Sequence, residues 1–340
     1  MTGGHGHLTA EDLGAVAWAA YGRRLRSAQR LTGGTRKGVY RLSLDGGTTG
    51  IGYVWNDDEN YWPAAVDPDR NTFFADDTGI DLFVAAHREF TEAGVRVPGI
   101  VLLDRSRRLV PGDVAAVEDV RGGSLERLTV RDPDRAGAVL RRLGAAVRTM
   151  HGRTRDHAGR PGDGRLSPGR AGRPGNGGPS PNQPNQSVEQ VVLDRALRQL
   201  AVVASRVDRI ADVRDRLADT LRERCAVLSP RTRFGLIHSE LGPDHVLVDD
   251  RDEPVLIDVE GAGYLDVEWE HAFLELRFGA GYRHLAVGGL DVDRLRFYRL
   301  ALHLSLVEGP LRLLDGPFPD RAGMLAIVEH NIGRTLAQLD

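Results

Sequence analysis

Acidic and histidine side chains are concentrated in residues 234–260, which read FGLIHSELGPDHVLVDDRDEPVLIDVE. Glu240 stands on a predicted loop that follows a short apolar strand. His245 and Asp258 stand at the two ends of a predicted hairpin, so their side chains can converge on one point. Phosphoryl transfer requires this kind of set, because a carboxylate must orient the acceptor hydroxyl and a metal ion must neutralise phosphate charge.

Each of these side chains also has an ordinary structural interpretation. Asp258 follows an apolar run, and a carboxylate there requires a partner or a metal ion, although it could instead belong to a turn. His245 is either a metal ligand or a packed histidine, since magnesium prefers oxygen ligands. Glu240 is either a catalytic carboxylate or a surface residue. His238 is expected to bond to the backbone and hold the loop in shape.

The block resembles the catalytic loop and metal-binding strand of the aminoglycoside and macrolide phosphotransferases. That family typically shows His-Gly-Asp, four residues, Asn or His, and then Ile-Asp about ten positions later. The resemblance implies an α+β, two-lobed, protein-kinase-like fold. The strand-rich nucleotide-binding lobe would occupy 1–120 and the helical lobe 121–340. It also implies Glu240 as the catalytic residue, His245 and Asp258 as ligands of Mg²⁺, and ATP or GTP as the phosphate donor.

Two flanking segments extend the resemblance. Residues 118–123 are similar to the hinge between the lobes, which implies that Glu118 and Val120 contact the nucleotide. The segment Asp266-Val-Glu-Trp-Glu270 resembles the Asp-Pro-x-x-Asp segment that braces the catalytic loop. Asp266 and Glu270 are therefore expected to support the loop together with His238.

The sequence departs from the family at both ends of the predicted site. Glu240 stands where the family has aspartate, and the extra methylene moves the carboxylate by about one bond length. The third strand, Ile51–Trp55, lacks the lysine that binds nucleotide phosphates. The only lysine of the chain is Lys37, in the segment Gly33-Gly-Thr-Arg-Lys-Gly38.

The segment with Lys37 is the loop expected to cover the phosphates. Kinases known as "with no lysine" place their lysine in this neighbourhood. Gly33, Gly34, Arg36 and Lys37 are therefore predicted to bind the nucleotide, the alternative being a solvated turn. The helix of the small lobe also lacks a clear glutamate to pair with a strand lysine. Glu89 is the best candidate, but Phe83 falls nearer the expected position.

The acceptor site is expected in the helices after Asp266. The residues predicted for it are Glu268, Trp269, Arg277 and Tyr282. Carboxylates there would suit a cationic aminoglycoside. The aromatic residues favour a macrolide or a nucleoside, although most of them are expected in the core.

The elements that position these residues follow from periodicity and punctuation. Helices are predicted from Thr9 to about Leu25, over Thr78–Ala93 and over Asp132–His151, with strands between the first two. Residues 56–77 are predicted to form a long loop, above the cleft or in solvent. Residues 152–186 are rich in Gly, Pro, Arg, Asn and Ser, and are predicted to be a disordered insertion.

Composition excludes several other classes. The net charge of -3 argues against nucleic acid or an anionic membrane as partner, and no apolar run is long enough to span a membrane. A single cysteine, Cys225, excludes an internal disulfide. The N-terminal residues show no basic region followed by an apolar one, so secretion is not expected. We therefore expect a cytoplasmic protein, with its oligomeric state left open.

Two functions fit the sequence. The first is an O-phosphotransferase that acts on a hydroxyl of a small molecule, such as an aminoglycoside, macrolide or nucleoside antibiotic. The second is a degenerate kinase-fold protein that binds a nucleotide or a partner without catalysis. The missing strand lysine and the exchange at Glu240 favour the second, whereas the retained metal-ligand pattern favours the first.

Overall fold

The computed structural model describes residues 6–63, 73–75, 78–161 and 186–339. In this part of the chain a strand-rich small lobe precedes a larger, mostly helical lobe. The α+β class predicted from the sequence is confirmed. No helix in the described ranges is both long and apolar enough to cross a membrane.

In the described residues, the small lobe is built on five antiparallel strands in the order β1-β2-β3-β5-β4. Its elements are α1 (Ala10–Tyr21), β1 (Leu25–Arg30), β2 (Gly38–Leu44), β3 (Thr49–Trp55), α2 (Ile80–Glu92), β4 (Ile100–Asp104) and β5 (Asp113–Glu118). Thr9 and Asp12 form a capping box at the start of α1. The helix ends earlier than predicted because Gly22 adopts a left-handed φ of 62°, which leaves Leu25 free to begin β1.

The large lobe packs helices around two small sheets, β10-β7-β6 and β8-β9, within the same described ranges. Its elements are α3 (Leu125–Arg131), α4 (Pro133–Gly152), β6 (Thr154–Arg155), α5 (Val188–Ala204), α6 (Asp208–Ala211), α7 (Arg214–Ala226), β7 (Phe234–Ile237), β8 (Val246–Val248), β9 (Pro254–Leu256), β10 (Gly263–Leu265), α8 (Val267–Phe278), α9 (Val292–Leu313) and α10 (Arg321–Leu336). The hairpin β8–β9 carries the predicted metal ligands at its ends.

One apolar core runs through both lobes. It joins Tyr53 of β3 and Phe83 of α2 to Val246 and Leu256 of the hairpin. A second core lies among α5, α7, α8 and α9. Since the hairpin β8–β9 packs into the shared core, its position depends on the small lobe as well as on its own strands.

Two predicted loops are more ordered than expected. In the predicted insertion, residues 154–155 form β6, and Gly159 pairs with Tyr264 in an isolated bridge, so the start of the segment belongs to a sheet. Residues 162–185 of that prediction lie outside the described residues. In the described part of the predicted loop 56–77, Glu59 and Tyr61 are buried and Asp57–Glu59 form a 3-10 turn. Residues 64–72 and 76–77 of that prediction lie outside the described residues.

Candidate active site

The loop that carries Glu240, which we call the catalytic loop, follows the fully buried strand β7. Two buried side chains hold it in place. His238 Nε2 donates to the carbonyl of Ile257 at 2.9 Å. Burial, and then the nearby His245, lower the pKa of His238 to about 4, so the ring is neutral. Glu270 accepts the backbone N–H of Ser239 at 2.6 Å, and burial raises the pKa of this carboxyl to about 8.

Two backbone positions of the site lie in the left-handed region without being glycine. Ser239 has a φ of 76° and Asp258 a φ of 61°. Such positions cost about 1–3 kcal/mol and persist where the surroundings determine them. Ser239 Oγ donates to the carbonyl of Gly261 at 2.9 Å, which ties the loop to the strand-end segment after Asp258. The turn before Glu240 is therefore fixed from both sides.

Glu240 is exposed on this loop and lines a cavity of about 400 Å³. Its backbone carbonyl accepts a hydrogen bond from His245 Nδ1 at 2.8 Å. That bond orients the imidazole so that Nε2 faces Asp258, with 3.7 Å between Nε2 and Asp258 Oδ2. The predicted catalytic carboxylate and the two predicted metal ligands thus lie at the same end of one cavity.

His245 and Asp258 could hold a Mg²⁺ ion whose remaining positions are filled by phosphate oxygens and water. Mg²⁺ is usually bound through one or two carboxylates together with substrate phosphates, so Asp258 fits this pattern, whereas the nitrogen of His245 is a less usual ligand. A closed cage does not fit, because the described residues contain no group of three or more His, Cys, Asp or Glu arranged for a metal. The donor set therefore suits a metal that arrives with a nucleotide.

Lys37 reaches this end of the cavity from the loop between β1 and β2. Its Nζ lies 2.5 Å from Asp258 Oδ1 and 2.5 Å from Glu260 Oε1. The lysine is buried, at 7% exposure, while the Asp258 side chain is 45% exposed. The chain's only lysine thus makes a contact with the strand-end carboxylates across 221 residues of sequence.

The three charges set one another's protonation. The charge of Lys37 holds the pKa of Asp258 well below its usual range. Burial acts to lower the pKa of Lys37, but the charges of Asp258 and Glu260 outweigh it and the pKa is raised. Burial raises the pKa of Glu260, and repulsion from Asp258 adds to this effect. The attraction of Glu260 to Lys37 acts in the opposite direction but does not outweigh them. Asp258 is therefore ionised beside a charged lysine, which is the protonation state that a metal ligand requires.

The phosphate-side loop is shaped to carry Lys37 into the site. A Cβ on Gly34 would lie 2.4 Å from the carbonyl oxygen of Lys37, so only glycine fits there. Arg36 stacks over Trp62 at 4.4 Å from the ring centroid. Trp62 Nε1 donates to Thr35 Oγ1 at 3.1 Å. Gly34, Arg36 and Lys37 line the cavity, whereas Gly33 is not among its lining residues.

An aromatic contact occupies the place where the family has an ion pair between strand and helix. Tyr53 of β3 and Phe83 of α2 meet edge to face, with ring centroids 5.6 Å apart. The Lys37 ammonium lies 5.3 Å from the centroid of Tyr53. Glu89 points elsewhere, because Arg153, Arg155 and the Tyr264 hydroxyl bind its buried carboxylate. Glu89 thus connects α2 to the large lobe, and Phe83 holds the position near the strand.

The remaining predicted support and hinge residues lie in different surroundings. Asp266 is buried and binds Arg294 and the Tyr298 hydroxyl, so it connects α8 to α9 and does not touch the catalytic loop. Glu118 ends β5, and its carboxylate binds Arg96 at 2.6 Å. Val120 is buried just beyond it. Neither hinge residue lines the cavity that contains Lys37 and Glu240.

The predicted acceptor residues divide into two pairs. Trp269 and Arg277 of α8 line the cavity. Glu268 is buried in an ion pair with Arg231, at 2.6 Å, and Tyr282 contacts His271 Nδ1 at 3.0 Å. The structure therefore does not bring Glu268 or Tyr282 to the cavity, because their side chains are used inside the helical core.

Sequence reasoning missed a line of polar contacts that runs from the cavity to α8. Starting from Lys37 and Asp258, it continues through His245 to Asp244, with 3.8 Å between His245 Nε2 and Asp244 Oδ2. It ends at Arg277, whose Nη2 lies 2.7 Å from Asp244 Oδ1. The sequence signal for Asp244 was its place directly before His245. No feature of the neighbouring sequence predicted the ion pair of Asp244 with Arg277 of α8.

A protein-family model for the phosphotransferase enzyme family, abbreviated APH, matches residues 72–298. The match covers more than half of the chain and includes the catalytic loop, the hairpin and α8. The chain therefore belongs to the phosphotransferase enzyme family, and it is a kinase-type enzyme that acts on hydroxyl groups. No curated protein matches it at a significant level.

Solved structures show the same kinase-like fold. A thermostable mutant of aminoglycoside phosphotransferase APH(4)-Ia is 14% identical, with a TM-score of 0.63, over 96% of this chain and 98% of that one. Spectinomycin phosphotransferase APH(9)-Ia, in complex with ADP and spectinomycin, is 13% identical, with a TM-score of 0.61 and the same coverage. A putative fructosamine-3-kinase from Thermobifida fusca is 19% identical, with a TM-score of 0.52, again over 96% and 98%. The predicted two-lobed fold is confirmed.

Proposed function

We propose that this enzyme transfers the γ-phosphoryl group of ATP or GTP, with Mg²⁺, to a hydroxyl of a small molecule of the antibiotic type. The observation that carries the proposal is the meeting of Lys37, Asp258 and His245 with Glu240 at one end of a single cavity. Solved structures of similar fold support the choice of ligands. One contains ADP and spectinomycin, and another contains AMP-PNP and hygromycin B.

In the proposed reaction, the bond between the γ-phosphorus and the bridging oxygen breaks, and the acceptor oxygen forms the new bond to phosphorus. The nucleoside diphosphate leaves with the bridging oxygen. Glu240 orients the acceptor hydroxyl and takes its proton, which then passes to solvent. Mg²⁺, when bound at His245 and Asp258, would neutralise phosphate charge. Lys37 would bind the phosphate oxygens from the loop above.

The surrounding residues act through the catalytic loop. Neutral His238 and the buried Glu270 hold the loop backbone, and so they place the Glu240 carboxylate. A displacement of about 1 Å in such a group can cost about a hundredfold in rate.

The alternative is a nucleotide-binding protein without catalysis. Its support is the double ion pair of Lys37, which occupies Asp258 Oδ1 and Glu260 Oε1. We favour catalysis because Asp258 Oδ2 and His245 Nε2 still face each other beside Glu240. A protein that binds a nucleotide without transferring phosphate would not require the carboxylate of Glu240 at this place.

Glu240→Gln tests the proposal, because it keeps the size of the side chain and removes the proton acceptor. We expect kcat to fall by about 10²–10⁴-fold, with binding of Mg-ATP or Mg-GTP unchanged. Nucleoside diphosphate release with an acceptor panel measures the first quantity, and thermal stabilisation by nucleotide measures the second. Glu253→Gln is the matched control, an exposed glutamate beyond the hairpin turn that pairs with Arg142. Equal transfer by wild type and Glu240→Gln would refute the assigned role. Stabilisation by nucleotide without transfer to any acceptor would favour the binding protein.

A further inference from the structure

The acceptor side of the cavity has a chemical character that the family does not specify. Its described walls come from α5, α8, α9 and the short segment 73–75. Apolar and aromatic side chains cover much of them. These are Phe73, Phe74, Trp269, Phe273, Leu302 and Leu306. Phe74 and Trp269 meet with ring centroids 5.0 Å apart. Such walls accept a flat or ring-containing molecule.

Carboxylates that could bind a polyamine are used elsewhere in the described helices. Glu268 is paired with Arg231 at 2.6 Å, and Glu275 is paired with Arg299 at 2.5 Å. Glu308 lines the cavity, but its Oε1 lies 3.5 Å from the guanidinium of Arg312 on the same helix. These three glutamates of the acceptor-side helices are thus paired with arginines of this chain.

Arg277 supplies the opposite charge in a form that can bind a ligand. Its Nη2 donates to Asp244 Oδ1, and within the described part of the chain this is its one hydrogen bond, so Nε and Nη1 remain available. Its guanidinium carbon lies 5.8 Å from the centroid of Phe273. A Cβ on Gly242 would come within 2.8 Å of the guanidinium, so the catalytic loop leaves room for it. Arg277 is therefore held beside the catalytic loop with part of its donor fork uncommitted.

The position of Arg277 in this line of polar contacts indicates which group of the acceptor it binds. Asp244 and His245 separate it from Asp258, so it lies on the acceptor side and not at the nucleotide phosphates. An anionic group on the acceptor would bind there while a hydroxyl of the same molecule lies near Glu240. A polycation would instead meet Arg277 directly, at a cost in electrostatic energy.

We propose that the acceptor is a hydroxylated, ring-containing molecule with an acidic group, and that Arg277 recognises this group. The inference rests on the proposed phosphotransfer and specifies its substrate class. The shared chemistry is a carboxylate or a phosphate held by part of a guanidinium fork. The inference predicts that polycationic aminoglycosides are poorer acceptors than such an acid.

Matched acid and neutral pairs test the inference on the purified full chain. One arm uses hydroxylated aromatic carboxylic acids with their amides, and the other uses nucleoside monophosphates with their nucleosides. An aminoglycoside set completes the panel. We expect the acid to be preferred by at least about tenfold in kcat/KM in one of the two arms. Preference in the first arm identifies a carboxylate, and preference in the second a phosphate.

Arg277→Gln should abolish this preference by raising KM for the acid, while KM for the nucleotide is unchanged. Arg277→Lys should retain part of it, because the charge remains and the fork is lost. Arg283→Gln is the matched control, an exposed arginine just after α8 that donates to the carbonyl of Ala280. A merely structural role for Arg277 would lower transfer to the acid and to its neutral partner equally, and would overturn the inference.

Acceptor binding separates this inference from the proposed activity. Thermal stabilisation by the acid that is lost in Arg277→Gln would support the inference even if no phosphate were transferred. Transfer to aminoglycosides that is unaffected by Arg277→Gln would keep the proposed activity and refute the acidic acceptor. Absence of both binding and transfer with every acid would also refute it.

Discussion

The large-lobe and small-lobe sides of the site hold their functional groups in different ways. In the large lobe, the catalytic loop is fixed through its backbone by the buried side chains of His238 and Glu270. In the small lobe, the charge that we propose for the phosphates is that of Lys37 on a loop, and Tyr53 occupies the strand on which a lysine was expected. The comparison indicates that loop geometry depends on local backbone contacts, whereas a positive charge can reach the same place from another strand or loop.

The packing between β3 and α2 is compatible with a strand that carries tyrosine in place of lysine. Tyr53 and Phe83 fill the space between β3 and α2 with an aromatic contact in place of a buried ion pair. Glu89 connects α2 to Arg153 and Arg155 of the large lobe instead. The helix therefore keeps its position without the ion pair that commonly anchors it.

Among the changes that compare the two sides, removal of the small-lobe charge should have the largest effect. We expect Lys37→Met to lower kcat/KM for the nucleotide by about 10²–10³-fold, because one preorganised charge at the phosphates is lost. Steady-state kinetics with varied nucleotide measure this. Arg26→Met, at an exposed arginine of β1 that pairs with Asp45, is the control and should leave the activity unchanged. A loss in the control as large as that in Lys37→Met would show a general effect of charge.

Return of the charge to the strand tests whether its source matters. In the Lys37→Met background, Tyr53→Lys should recover at least about tenfold of the lost activity, since the ammonium of Lys37 lies only 5.3 Å from the Tyr53 ring. Tyr53→Met in the same background provides the neutral control and should recover nothing. If Tyr53→Lys folds but is as inactive as Lys37→Met alone, the interchange between loop and strand is refuted.

The large-lobe side should show its dependence in stability against pH. Burial raises the pKa of Glu270 to about 8, above its ordinary value. Its contribution is fully present below pH of about 4.5 and is lost as pH rises through about 8, with a slope approaching about 1.4 kcal/mol per pH unit. Glu270→Gln should remove this part of the slope and still accept the Ser239 N–H. Urea unfolding from pH 5 to 8 measures the difference.

Glu223→Gln, at an exposed position of α7, is the control for this measurement and should retain the slope of the wild type. An identical dependence of unfolding free energy on pH in wild type and Glu270→Gln would contradict the assignment of a protonated carboxyl beneath the loop.

Much of the site could be predicted because its parts are close in sequence. The hairpin β8–β9 follows from apolar runs bounded by polar residues, and its short length brings His245 and Asp258 together. Glu240 and His238 follow the buried strand β7 for the same reason. The contact of Glu270 with the loop agrees with the role expected for it, whereas Asp266 contacts α9, because Arg294 and Tyr298 compete for its carboxylate.

The sequence by itself predicted the class of enzyme and the residues around the catalytic loop, through the resemblance of residues 234–270 to a known family. The order of strands and helices followed from periodicity and turn residues along the chain. Tertiary structure alone decided that Lys37 meets Asp258, that Arg277 binds Asp244 and that Glu268 turns into the core. Such contacts join distant segments, and their choice depends on how the lobes and helices pack and on which buried charge each partner must neutralise.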